Sequence, residues 1–447
     1  MQSRSTPPPR RRRPVSLDSP ITRRSLAGFV GATAATALAG CASQDTSKDL
    51  DTLQVWGGVP PENGPQALVD HFMEEHPDQK VVYTRFVNDD RGNLKVNTAL
   101  QGGVDIDVFF TYDSSSLAMR SHSGMAADLG DLVRSTPKLE PFLDTTEPKA
   151  LFDGETITAL ATTKEPNFLL FNESLRDEAG IELPSAWELE EYLEAVRSLT
   201  ANGHYGTYKL PDLPRIALGP NYWYAGEGSN FEDPAFLRHF ELTAQMIRDG
   251  EVFPWSQVLA RQIEAYQQNN FIAGDFAIWG TAPFSLRFLN DSEQYPHDFL
   301  TACAPMPTID GADWNSGVYG NHVQINAKSP KQELAQEFVK FWLLDGAADM
   351  APGGKIPTLD NVDHEILLEA ILGENMETYF DVESFRRTLF ENDPKLLADT
   401  DLTAVAEITQ AYEQQRDVCW LLERSPQRAI DTIHADADAL IQRFRED

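Results

Sequence analysis

The chain has 447 residues, with 69 acidic against 37 basic side chains and a formal charge of −32. Such a field repels nucleic acid and anionic lipid, favours solubility and says nothing about fold. At this length one ordinary core is exceeded, so two lobes are expected.

The first forty residues read as an export segment. "PPPRRRRP" supplies a basic start, and "PITRRSLAGFVGATAATALAG" adds a mildly apolar run ending in small residues. The run from Leu26 to Leu38 is too short and too rich in Ala, Gly and Thr to span a bilayer, which takes about 20 strongly apolar residues. Arg23-Arg24 looks like the twin-arginine export motif, which leaves a choice between that route and the general secretory one. Leu38-Ala39-Gly40-Cys41 resembles a bacterial lipobox. That resemblance implies lipidation at Cys41 after removal of residues 1–40, with several acyl chains because one alone binds only marginally. Those forty residues hold seven Arg and one Asp, so the remaining chain carries −38. Residues 41–51 then form the anchor and a flexible tether spanning roughly 17 Å.

Beyond the tether, strand and helix patterns alternate. "TLQVWGG" reads as a buried strand, followed by a helix from Pro65 with Leu68, Phe72 and Glu75 at helical spacing and Pro77 as its stop. "KVVYTRFV" is a second strand, "NLKVNTALQGG" a helix closed by glycine, and "DIDVFFTYD" a third strand. That order predicts a parallel α/β sheet. Ser185 with Glu188 predicts a capping box before Leu189, Leu193, Val196 and Leu199. Ser329-Pro330 with Gln332 predicts another before Leu334, Phe338 and Phe341. From about residue 360 the pattern is mostly helical, and Ile430, Ile433, Ala437, Leu440 and Phe444 form a packing stripe too short for a coiled coil. Cys303 and Cys419 leave two readings open, one disulfide or two buried thiols.

Four stretches in this order resemble the sugar-binding family of extracellular solute-binding proteins that serve ABC importers. They are "DIDVFFTYDSSSLAMRSHSGMAADLGDLV", the run from "DGETITALATTKEPNFLLFN" to "PSAWELEEYLEAVRSLT", "NNFIAGDFAIWGTAPFSL", and "ACAPMPTID" with "GVYGNHVQINAKSPKQELAQEFVKFWLL". The likeness runs from about residue 52 to 445. It implies a two-lobed α/β fold of the type II periplasmic-binding-protein kind, each lobe a mixed sheet flanked by helices, with a helical C-terminal region. Lobe one would hold 52–165 with a return segment 314–356, and lobe two 166–313 with the tail 357–447. The resemblance further implies a monomer without cofactor or metal. It would close on a carbohydrate by hinge motion, present it to permease subunits, and catalyse nothing.

A sugar offers hydroxyl edges and C–H faces, which call for carboxylates or amides and for flat rings. Counted back from Phe171-Asn172, Glu165 falls on a hinge-strand position that is a sugar-contacting carboxylate in the family; the competing reading is a solvated loop acid. Phe284, four residues after Gly280, matches a position where a stacking Trp is common; the alternative is plain core. Asp113 ends the third strand, where it is either a ligand contact or a helix N-cap. Trp56 heads the loop "GGVPPENG", which lacks the family's Asp-Lys pair, and is either cleft or core. Tyr222, Trp223 and Tyr224 put three rings in one loop, one of them expected to face the cleft and at least one core. Trp314 and Tyr319 flank the return crossing, and Tyr412 falls near another aromatic contact position.

Other classes remain to be weighed. A carbohydrate-acting hydrolase needs two facing carboxylates, and no HExxH, GxSxG or P-loop pattern accompanies the acids here. The nine His are scattered, which speaks against a soft-metal site. Within the binding class, ferric ion, a polyamine or glycerol phosphate are the non-sugar alternatives.

Overall fold

Apolar runs become strands where the period is two and both faces can be covered. In the computed structural model, which describes residues 51–144, 149–200, 203–263, 266–397 and 402–446, the chain opens with β1 (Thr52–Gly57), β2 (Lys80–Arg85) and β3 (Val108–Thr111). All four residues of β3 are buried. Val108 and Phe110 pack with Leu53, Val55 and the helix α1 (Pro65–Glu75), while Phe109 packs on the opposite face with Phe86 and with Val96 and Leu100 of α2 (Asp90–Gly102). A strand covered on both faces is what a continuous apolar run encodes. The export segment, Cys41 and nearly all of the tether lie outside the described residues.

β4 (Ala150–Asp153) and the ten-residue β5 (Thr156–Glu165) continue the first sheet. The chain then builds a second sheet from β6 (Phe168–Asn172), β7 (Tyr205–Thr207), β10 (Phe276–Thr281) and β11 (Thr301–Pro305), with β8 (Tyr224–Ala225) and β9 (Gly228–Ser229) as a separate short hairpin. It returns through β12 (Trp314–Ile325), β13 (Ile356–Pro357) and β14 (Lys395–Leu397). The large sheet runs β13-β5-β12-β3-β1-β2, with β4 also on β5 and β14 also on β12; the small one runs β11-β6-β10-β7. β1 is parallel to β2 and β3, and β12 is antiparallel to β3 and β5.

β6 repeats the alternation. Leu169 and Phe171 face the helix Leu189–Leu199, and Phe168 and Leu170 face the helical tail. Its neighbour across the small sheet, Cys303, is a buried free thiol, as is Cys419 in the helix Val405–Trp420. Among the described residues no helix is long and apolar enough to cross a membrane.

Three local expectations shift. The helix at Leu189 is capped by Glu188, whose amide donates to Glu191 Oε2 at 2.8 Å, and Ser185 lies outside it. The helix Gln332–Leu343 has Lys331 at its N-cap; the Ser329 hydroxyl donates to buried Asp107 and accepts from the Lys331 amide at 3.0 Å, one residue before the helix. In the last helix, Pro426–Glu446, Ile441 is buried where Phe444 was expected, and Phe444 is 47% exposed. Spacings of three, four and four from Ile430 keep Ile433, Ala437 and Ile441 on one face, and Phe444 lies in the last turn.

Two crossings between the sheets run side by side. The Asn167 amide donates to Asn315 Oδ1 at 2.8 Å, and Asn315 Nδ2 returns a bond to the Asn167 carbonyl at 2.9 Å. Gly317 is required there, since a Cβ would lie 2.2 Å from the Glu165 carbonyl oxygen.

Candidate functional site

Parallel strands present their ligand loops at their carboxyl ends. In the large sheet these ends are Gly57-Gly58, Arg85 and Tyr112-Asp113; in the small sheet, β10 leads into Pro283, Phe284 and Arg287. The two groups approach each other at Gly354, where a Cβ would meet the Pro283 carbonyl oxygen at 2.1 Å.

Glu165 closes β5 at this approach and is only 8% exposed. Lys355, 5% exposed, places Nζ 2.7 Å from its Oε1. Thr163 donates to the same oxygen at 3.0 Å, and Asn321 Nδ2 donates to it as well. Burial pulls Lys355 below the usual lysine pKa, while Glu165 works against that shift. The adjoining cavity, lined by Thr162, Thr163, Asn321, Lys355, Tyr83 and Tyr112 among others, measures about 10 Å³. That is the room of a single water molecule. In this conformation the Glu165 carboxylate is occupied by its own chain.

The Gly57-Gly58 loop is also occupied from within. Gly58 donates to the Tyr112 hydroxyl at 2.6 Å, and Tyr83 donates to the Val59 carbonyl at 2.8 Å. Burial pushes the Tyr112 phenol up to about 12 and that of Tyr83 well above its ordinary value. Trp56 is half-buried against the α2 side, with Lys95 Nζ 5.2 Å from its ring centre. Asp113 is exposed and caps the helix α3 (Ser114–His122), accepting from the Ser116 amide at 2.7 Å.

Phe284 is half-buried, beside Gly354. The Arg287 guanidinium lies 6.0 Å from its ring centre and 4.8 Å from that of Phe288. Three other expected rings converge elsewhere along the same interface. Trp223 lies 5.8 Å from Tyr412 and 5.6 Å from Tyr222, and Tyr222 donates to Asp212 Oδ2 at 2.8 Å. Tyr412 is 8% exposed, within the core of the small-sheet half and its tail. Trp223 reaches further, packing also against Leu117 and Ala118 of α3. Trp314 lies against Gly219, the residue that leads into this loop. Tyr224 donates to the Thr403 carbonyl at 2.8 Å, and Tyr319 is half-buried near Lys149.

The structure thus brings Glu165 and Phe284 to one end of the interface, and Tyr222, Trp223, Trp314 and Tyr412 to the other. Trp56, Asp113 and Tyr319 make local contacts of their own. Sequence reasoning missed Lys355, Arg287, Tyr112 and Asp212. Arg287 sits one helical turn after Phe284 and Tyr112 precedes Asp113, so both were within reach of the signals used. Lys355 follows "APGG", and nothing in that loop points to Glu165. Among the described residues no group of three or more His, Cys, Asp or Glu is placed to hold a metal ion.

Comparison with known proteins follows the same lines. The family model of bacterial extracellular solute-binding proteins matches residues 59–349. Among solved structures, a sugar transporter of Rhizobium etli in an open conformation has a TM-score of 0.68 at 17% identity, over 87% of this chain and 99% of that one. The GacH receptor of Streptomyces glaucescens, described without ligand and with acarbose, has a TM-score of 0.65 at 19% identity, over 88% and 98%. A maltose/maltodextrin-binding domain of Bdellovibrio bacteriovorus bound to maltotriose also has 0.65, at 15% identity, over 88% and 100%. No curated protein matches this sequence. These likenesses show a two-lobed mixed α/β fold. With the family match spanning well over half its length, the chain belongs to the bacterial extracellular solute-binding protein family.

Proposed function

We propose that this protein is the lipid-anchored receptor of an ABC importer and that it captures a sugar or oligosaccharide between its lobes. Lobe one comprises 52–165 with the return segment 314–356; lobe two comprises 166–313 with the tail 357–447. The observation that carries the reading is the distribution of rings. Phe284, Trp314, Tyr222 and Trp223 are half-buried in the elements where the two sheets approach, which suits the C–H faces of a sugar. Two of the similar structures are complexes with acarbose and with maltotriose, in agreement with this. The lobes close by bending at the paired crossings near Asn167 and Asn315, and the closed form is presented to the permease. The ligand is released unaltered.

A thermal-shift screen of mono- and oligosaccharides tests the reading. A true ligand at a thousandfold its Kd adds about 4 kcal/mol to stability and raises the melting temperature. Chromatography of the same mixture should return the sugar intact. If no carbohydrate moves the melting point, or if a hit is cleaved, the reading falls. For the anchor, replacing Cys41 by serine should move the exported protein from the membrane fraction to the soluble one, since acyl chains supply the attachment. Retention of C41S in the membrane pellet would refute lipidation there.

A further inference from the structure

Arg287 is the unusual charge of this interface. It stands on the helix Leu286–Asn290, in the small-sheet half, and the Glu165 carboxylate of the large-sheet half attracts it. Among the described residues its side chain makes no ion pair and no hydrogen bond, and its Nε is buried without a partner. Aromatic rings back it, Phe288 at 4.8 Å and Phe284 at 6.0 Å. Burial lowers its pKa, and Arg85, whose side chain is likewise unpaired, repels it further. Lys355 adds a third cation, and Glu165 is committed to Lys355.

Three cations against one carboxylate is an odd balance in a chain with 69 acidic and 37 basic residues. Acids able to neutralise an arginine are plentiful, yet among the described residues none forms an ion pair with this one. A partly desolvated charge without a partner is costly, and an anion that enters with the ligand removes the cost. The planar guanidinium offers parallel N–H donors that match a carboxylate in a two-pronged pair. We propose that the cleft takes an anionic carbohydrate, a sugar bearing a carboxylate, and that Arg287 receives its charge. This rests on the carbohydrate reading above and names the class of sugar.

Calorimetry on the purified protein tests it. Oligosaccharides containing glucuronate, galacturonate or mannuronate are each titrated beside the neutral parent sugar, and sugar phosphates form a third arm. At least one carboxylated sugar should bind tenfold or more tightly than its neutral parent and than the phosphate. R287Q should lose at least tenfold affinity for that acid and less than threefold for the neutral sugar, and R287K should recover only part, lacking the fork. The unliganded melting temperature of R287Q should stay level or rise, because an unpaired charge has been removed. A fall of several degrees would make Arg287 structural and overturn the proposal. Equal or tighter binding of neutral sugars overturns it and leaves the carbohydrate reading standing. Preference for the phosphates overturns the choice of carboxylate, and no binding by any sugar removes both readings.

Discussion

Replacing Lys355 with methionine should destabilise the protein by about 3–5 kcal/mol, because the Glu165 carboxylate would be left buried without its cation. The two groups stand 2.7 Å apart and are 8% and 5% exposed, so bulk water does not reach the carboxylate to replace the lost charge. Thr163 and Asn321 still donate to Glu165, but neutral donors do not neutralise a charge. The double variant E165Q/K355M should recover much of the loss, since a buried ion pair replaced by neutral groups of similar size is often close to neutral in stability. Urea unfolding of the wild type, both single variants and the double variant measures the coupling directly. A double variant no more stable than K355M would show that the pair does not act as a unit. The position gives the pair its importance: Glu165 is the last residue before the crossing to the second sheet, and Lys355 adjoins the Gly354 contact with Pro283.

The second large effect is expected from His239, in the helix Pro234–Asp249. Its ring is 3% exposed, edge-on to Trp420 at 5.9 Å, and its Nδ1 has no partner. Burial lowers its pKa from 6.5 to about 4, against the pull of Asp212 and with the push of Lys209 and Arg416. Between those values the unfolded chain binds a proton that the folded protein refuses. Stability from this group is therefore complete above pH 6.5, is lost as the pH falls through the window, and changes no further below about 4. The loss amounts to roughly 3 kcal/mol, at about 1.4 kcal/mol per unit. Other groups titrate in the same range, so the readout is a difference. H239F keeps a ring against Trp420 and removes the proton site, and should lose about 3 kcal/mol less than the wild type between pH 7 and pH 4. Identical losses would mean that His239 takes up its proton at the same pH in the folded protein as in the unfolded chain.

Much of the architecture was readable before any tertiary contact was known. β1, α1, β2, α2 and β3 lie where the apolar periods placed them, because burial of Leu53, Val55, Leu68, Phe72 and Phe110 needs only correct spacing along one segment. Caps were less legible. Ser185 and Ser329 carry the right chemistry, but Glu191 bonds the Glu188 amide, and Ser329 accepts from the Lys331 amide just ahead of the helix. β14 was invisible as a strand: "KLL" has no signal of its own, and it exists because β12 is long enough to leave an edge at Trp314 and Val318.

By itself the sequence determined the alternating order of strands and helices, their main faces and the four stretches that carry the family likeness, all set by residues close together in the chain. The tertiary structure alone decided the partners. Glu165 meets Lys355 across 190 residues, Trp223 meets Tyr412 across a similar gap, and the buried Arg287 Nε has no hydrogen-bond partner among the described residues. Periodicity reports how a segment divides between core and solvent, whereas the choice among many acids, cations and rings depends on which surfaces folding brings within a few ångströms.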